Sequence, residues 1–208
     1  MATHHFIATF LLIIFVSNCS VIKAQVVVNV IHDTNGDILK TGTKYYILPV
    51  VQRLGGGIAT APTNANQTCP LSVVQLTDTS ALGLPVVFYS NGKSVQNVTF
   101  DDDMNLVFDA PNTCGGSSVW EVKLTEATKF VGLGGKSMVR GPNFVNIWFR
   151  IERFFPSFHF DYKLTFCPTK TICPLCKVKC GDLGVVDQGG VWRLVVGASP
   201  LRIKFKKA

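Results

Sequence analysis

The sequence predicts an all-β fold braced by disulfides, and three observations carry that prediction. Short β-branched and aromatic runs recur along the chain, separated by glycine- and asparagine-rich turns. No stretch of about twelve residues carries the apolar spacing of an amphipathic helix. Six cysteines remain once an N-terminal leader is set aside, an even number suited to pairing.

The leader comes first. A largely apolar run of eleven residues, 6–16, follows five polar or small ones, and Ala24 offers a small side chain for cleavage. This is the pattern of a secretory signal peptide, and the run falls short of the roughly 20 residues that cross a bilayer. Residues 1–24 are therefore read as a signal, and 25–208 as one domain secreted to the outside or to the vacuole. Its 184 residues can bury a sizeable core. The chain carries a formal charge of +7, and loss of Lys23 leaves +6. The basic residues are scattered apart from Lys204, Lys206 and Lys207, and no arginine stripe interleaves with aromatics. Neither a nucleic-acid partner nor a membrane partner is expected.

Strands are expected at 26–31, 45–51, 71–76, 86–89, 106–108, 119–124, 147–151, 162–166, 191–196 and 201–205. The breaks between them hold Asn35-Gly36, Gly55-Gly56-Gly57, Asn91-Gly92, Gly115-Gly116, Gly134-Gly135, Gly141-Pro142 and Gly189-Gly190. In the last run Leu201, Ile203 and Phe205 alternate with Arg202, Lys204 and Lys206, as in a strand with one wet face. Trp120, Trp148 and Trp192 each sit inside a strand-like run, a weak threefold echo that packed or half-buried aromatics also explain. Many short strands at even spacing indicate a sandwich or a barrel.

Six cysteines allow 15 pairings. Four of them, Cys167, Cys173, Cys176 and Cys180, crowd together, while Cys69 and Cys114 stand apart. The simplest scheme joins Cys69 to Cys114 and nests Cys173–Cys176 inside Cys167–Cys180. A zinc site is the alternative for the cluster, but no histidine lies near its C-x-x-C pair. Asn66 and Asn97 open Asn-X-Thr sequons and are candidate N-glycosylation sites.

The sequence is poor in catalytic constellations. His32 and His159 have no metal-ligand spacing, and no nucleophile elbow, zinc-protease motif or phosphate-binding loop occurs. The run Asp101-Asp102-Asp103 lacks the spacing of a calcium loop and reads as a solvated turn. No enzymatic activity, cofactor or metal is expected.

The start of the domain is more specific. Ile31-His32-Asp33-Thr34-Asn35-Gly36-Asp37-Ile38-Leu39, followed by Tyr45-Tyr46-Ile47, resembles the N-terminal signature of the plant Kunitz family, the soybean trypsin inhibitor relatives. Further segments agree in order: Cys69-Pro70-Leu71-Ser72-Val73-Val74-Gln75, Trp148-Phe149-Arg150-Ile151-Glu152, Tyr162-Lys163-Leu164-Thr165-Phe166-Cys167-Pro168, Cys180-Gly181-Asp182-Leu183-Gly184 and Trp192-Arg193-Leu194-Val195-Val196. The cysteine cluster ending in Lys177-Val178-Lys179-Cys180 is most similar to the miraculin-like branch. The resemblance implies a β-trefoil, twelve short strands in three pseudo-symmetric lobes, and the same three disulfides that the spacing favours.

The resemblance also implies a function: a monomeric inhibitor that offers an exposed, substrate-like loop to an endopeptidase, most often a serine protease, with cysteine or aspartic proteases as further targets. A stiff loop loses little entropy on binding, so its contacts survive as affinity. The matching loop is 90–99, with Lys93, Ser94, Gln96, Asn97 and Val98 as reactive-loop candidates and Thr41 as the residue that braces it from within. The family's basic specificity residue falls near Asn97, which is not basic and begins a sequon, and the bracing position holds threonine where the family favours asparagine. These departures support the alternative implied by the miraculin-like branch: a binding or storage protein of defence tissue with little inhibition.

Overall fold

The computed structural model describes residues 29–63, 66–90, 96–155 and 160–208. The expected leader, Lys93, Ser94 and His159 lie outside them. Among the described residues the chain forms twelve strands: β1 Lys44–Pro49, β2 Ile58–Pro62, β3 Leu71–Gln75, β4 Val86–Ser90, β5 Met104–Phe108, β6 Trp120–Val122, β7 Val131–Leu133, β8 Arg150–Arg153, β9 Tyr162–Phe166, β10 Gly181–Gln188, β11 Val191–Val196 and β12 Ile203–Lys207. Two 3-10 turns, Gln52–Leu54 and Pro142–Ile147, are the helical segments among the described residues.

All pairings are antiparallel. The strands follow the order β5-β4-β1-β12-β9-β10-β11-β3-β7-β6, with β2 on β3 and β8 on β9. The two ends of this path meet: Val107 bridges Val119, and the Phe108 N–H donates to the Ser118 carbonyl at 3.2 Å. Closure removes the exposed edges that an open sheet of this size would present.

The alternation of the strands is what fills the interior. In β12 Ile203 and Phe205 are buried while Lys206 and Lys207 are exposed. The core is a chain of aromatic contacts. Phe88 meets Phe205 edge-on at 5.5 Å, Phe205 meets Tyr162, and Trp120 joins Phe108 to Phe149. Such pairs add about 0.5–1.5 kcal/mol each beyond the area they bury. Trp120 and Trp148 are fully buried, whereas Trp192 is only half-buried.

Strands 162–166 and 191–196 form as the sequence predicts. The expected strand 147–151 is displaced. Pro142 starts a 3-10 turn that runs to Ile147, and regular pairing resumes only at Arg150. Three strands went unseen in the sequence: β2 is rich in small residues, β7 is Val-Gly-Leu, and β10 is interrupted by Gly184 and ends in Asp187 and Gln188. The sulfurs join as Cys69–Cys114, Cys167–Cys180 and Cys173–Cys176.

Candidate functional site

The segment that precedes β1 is built around Asp33. Its buried carboxylate accepts the N–H groups of Asn35 at 2.8 Å and Asp37 at 3.0 Å. Gly36, at φ +87°, takes the left-handed position of the turn. The chain doubles back, so that the Leu39 N–H donates to the Ile31 carbonyl and His32 bridges Ile38. One residue later Lys40 donates its N–H to the Tyr45 hydroxyl at 3.1 Å. Burial pushes the Tyr45 phenol up, and this hydrogen bond opposes the shift. Tyr45, on β1, thus fixes the backbone immediately before Thr41.

Residues 96–100 lie along this doubled segment. Val98 donates to the Leu39 carbonyl at 2.8 Å and accepts from Ile31 at 3.0 Å, while Lys40 bridges Asn97 and Val30 bridges Thr99. Thr41 is the innermost contact. Its N–H donates to the Gln96 carbonyl at 2.9 Å, and its hydroxyl accepts the Gln96 N–H at 3.0 Å. Gln96 then reaches across with its amide, donating to the Ser90 hydroxyl at 2.5 Å. Ser90 ends β4, so this bond ties the two flanks of residues 91–95 to each other. Ser90 and Tyr45 are the two positioning residues that pattern reading overlooked. Tyr45 stood in the N-terminal motif without a role, and Ser90 was placed at the start of the loop without one.

The candidates separate clearly. Gln96 is half-buried and braced, and Asn97 is exposed with its side chain directed outward. Val98 does not belong on the presented face: it is fully buried in the core, one position out of phase with Asn97 on an extended chain. Lys93 and Ser94 lie outside the described residues. Thr41 is 4 % exposed, facing inward as a brace must.

The acidic run below the segment is committed to structure. Asp102 accepts both the Thr99 N–H and its hydroxyl. Asp103 is buried and receives the N–H and hydroxyl of Thr169, anchoring the cysteine-rich loop. Asp101 is mostly exposed and accepts from Asn29 at 2.6 Å. Among the described residues no group of three or more histidine, cysteine or acidic side chains converges on a possible metal position.

The described residues form a closed, disulfide-linked antiparallel barrel in which Gln96 is tied to both Ser90 and Thr41. Comparison with known proteins gives this arrangement a family. The family model for legume Kunitz-type trypsin and protease inhibitors matches residues 31–207. Miraculin from Synsepalum dulcificum is 39 % identical over 187 residues, 86 % of this chain and 83 % of its own. Kunitz trypsin inhibitor 5 of Arabidopsis thaliana is 38 % identical over 201 residues, 95 % of each chain. The structure of the potato Kunitz-type cysteine protease inhibitor PCPI-3 matches with a TM-score of 0.71 at 30 % identity, covering 86 % of this chain and 96 % of that one. This chain belongs to the plant Kunitz inhibitor family, its fold is the β-trefoil of that family, and the family is one of inhibitors and not of enzymes.

Proposed function

We propose that this protein is a secreted inhibitor of serine endopeptidases that presents the segment between Ser90 and Asn97 to the enzyme. The observation that carries the proposal is the pinning of both flanks. Ser90 and Gln96 are joined by side-chain hydrogen bonding, and Gln96 is held from beneath by Thr41. A loop whose two ends are held before it meets its target avoids part of the ordering cost of binding. Lys93 is the cation within the segment and would suit a pocket closed by a carboxylate.

A second reading rests on Asn97. It is exposed at the base of the segment and opens a sequon, and a glycan there would stand in the path of a protease cleft. Together with the likeness to miraculin, this favours a binding or storage role with little inhibition. One experiment separates the two. The secreted protein, with and without its N-glycans, is titrated against trypsin, chymotrypsin, subtilisin, papain and a pepsin-like enzyme. Inhibition of any of them supports the inhibitor. Inhibition that emerges only after glycan removal makes Asn97 a gate, and none at about micromolar protein, a Kd threshold near −8 kcal/mol, leaves the second reading.

A further inference from the structure

The other end of β1 carries a feature that protease recognition does not use. Beyond Pro49 the 3-10 turn Gln52–Leu54, the β10–β11 hairpin and the stretch before β12 enclose a cavity of about 540 Å³. Val51, Leu54, Val185, Pro200 and the half-buried indole of Trp192 form its apolar wall, and Arg53, Gln75, Asp187, Ser199 and Arg202 supply polar groups. Gly55 sets the indole in place. At φ +112° it leaves room for the ring, whereas a Cβ there would lie 2.9 Å from Trp192 Cζ3. Small-molecule sites have this size and this balance of apolar wall with few polar groups.

The charges around the cavity are unequal. Arg202 is neutralised by the buried Asp161, with its Nη2 2.5 Å from the carboxylate. Asp187 accepts the Gly190 N–H at 2.7 Å. Arg53 has no hydrogen-bond or ion-pair partner among the described residues, and it stands on the wall shared with a second cavity, lined by Lys204. Arg53 is thus the lining cation left without a direct partner, on a protein that is already positive overall.

We infer that this cavity binds a small amphiphilic carboxylate, its ring or chain against Trp192 and Leu54 and its carboxylate on the Arg53 guanidinium. The apolar wall would take the ring or chain, and the unpartnered Arg53 favours an acid over a neutral ligand of the same shape. The site adjoins Pro49, at the end of β1 away from the Thr41 brace, and a six-residue strand spans about 17 Å. Its occupancy is therefore independent of protease binding, and its failure would leave the proposed inhibition untouched.

Trp192 provides the readout, because the other two tryptophans are fully buried. The full secreted chain is titrated near neutral pH with 4-phenylbutyrate and, in parallel, with the neutral 4-phenylbutan-1-ol, following tryptophan emission. Saturable 1:1 binding of the acid is expected, with the alcohol at least about tenfold weaker. Arg53→Gln should weaken the acid by about tenfold and leave the alcohol unchanged. Trp192→Phe, verified as folded by its melting profile, should lose the emission change. The inference fails if emission is unmoved by the acid at about 10 mM, far above a millimolar Kd. It also fails if the alcohol binds as well as the acid, if Arg53→Gln keeps wild-type affinity, or if the emission change persists without Trp192.

Discussion

The Thr41 hydroxyl is buried and accepts the backbone N–H of Gln96. Thr41→Val keeps the shape and removes the acceptor, leaving a buried donor unpaired at a cost of about 1–3 kcal/mol. Because the loss falls on the segment flank, the proposed inhibition should weaken by about tenfold or more, a change of about 1.4 kcal/mol per decade. Thr41→Ser, which keeps the hydroxyl, should retain inhibition. Equal inhibition by wild type and Thr41→Val would show that the brace is dispensable. At Asn97 the prediction is simpler: Asn97→Gln removes the sequon, and a drop in mass by one glycan when the full chain is expressed in plant cells would show that the site is used. The inward position of Thr41 was legible from its place in the motif. The burial of Val98 was not, because the phase of an extended chain is set by what packs against it, here Leu39 and Ile31 on the doubled segment.

Between residue and fold lie the elements, and the N-terminal segment shows how they cooperate. Asp33 shapes a turn, the turn returns the chain to Tyr45, and Tyr45 holds the backbone on which the 96–100 segment lies. Asp33→Ala should lower stability by about 1–3 kcal/mol by releasing two N–H groups, measured by urea unfolding. The Cys69–Cys114 bridge spans 45 residues and links the approach to β3 with the approach to β6. Replacing both cysteines with serine should remove about 2–5 kcal/mol, also read by urea unfolding, and a loss much below this range would mean that the reduced chain is constrained by other contacts. The overlooked strands share one cause. β2, β7 and β10 contain glycine, alanine or acidic residues, and they hold strand geometry because their neighbours supply the pairing. The Gly55-Gly56-Gly57 run is misleading for a related reason. It reads as a loose turn, yet its missing side chains let Trp192 and the backbone around Asp78 and Leu82 come close.

At the scale of the whole molecule, the all-β class was legible because runs of valine, isoleucine and aromatics recur with turn residues between them, and that pattern survives errors at single strands. Barrel closure was not legible. It depends on Val107 meeting Val119 and on the tertiary contact between the two ends of the sheet path, which no local pattern records. The buried aromatic chain makes a further prediction. Burial holds the Tyr45 and Tyr162 phenols above their ordinary value of 10.0. The folded protein therefore keeps these protons more tightly than the unfolded chain. Their contribution to stability is intact below pH 10 and is lost as pH rises through the folded-state values. Urea midpoints should fall steeply above that pH, and Tyr45→Phe should flatten the fall. A midpoint that does not change between pH 8 and about pH 11 would contradict the assignment.

The pins on the presented segment all lie outside it: Ser90 on one side, Gln96 on the other, Thr41 beneath. The five residues 91–95 can therefore be treated as an exchangeable cassette. A library diversified there, with the three pins kept, would search for enzymes that bind this edge of an unaltered scaffold without rebuilding the barrel.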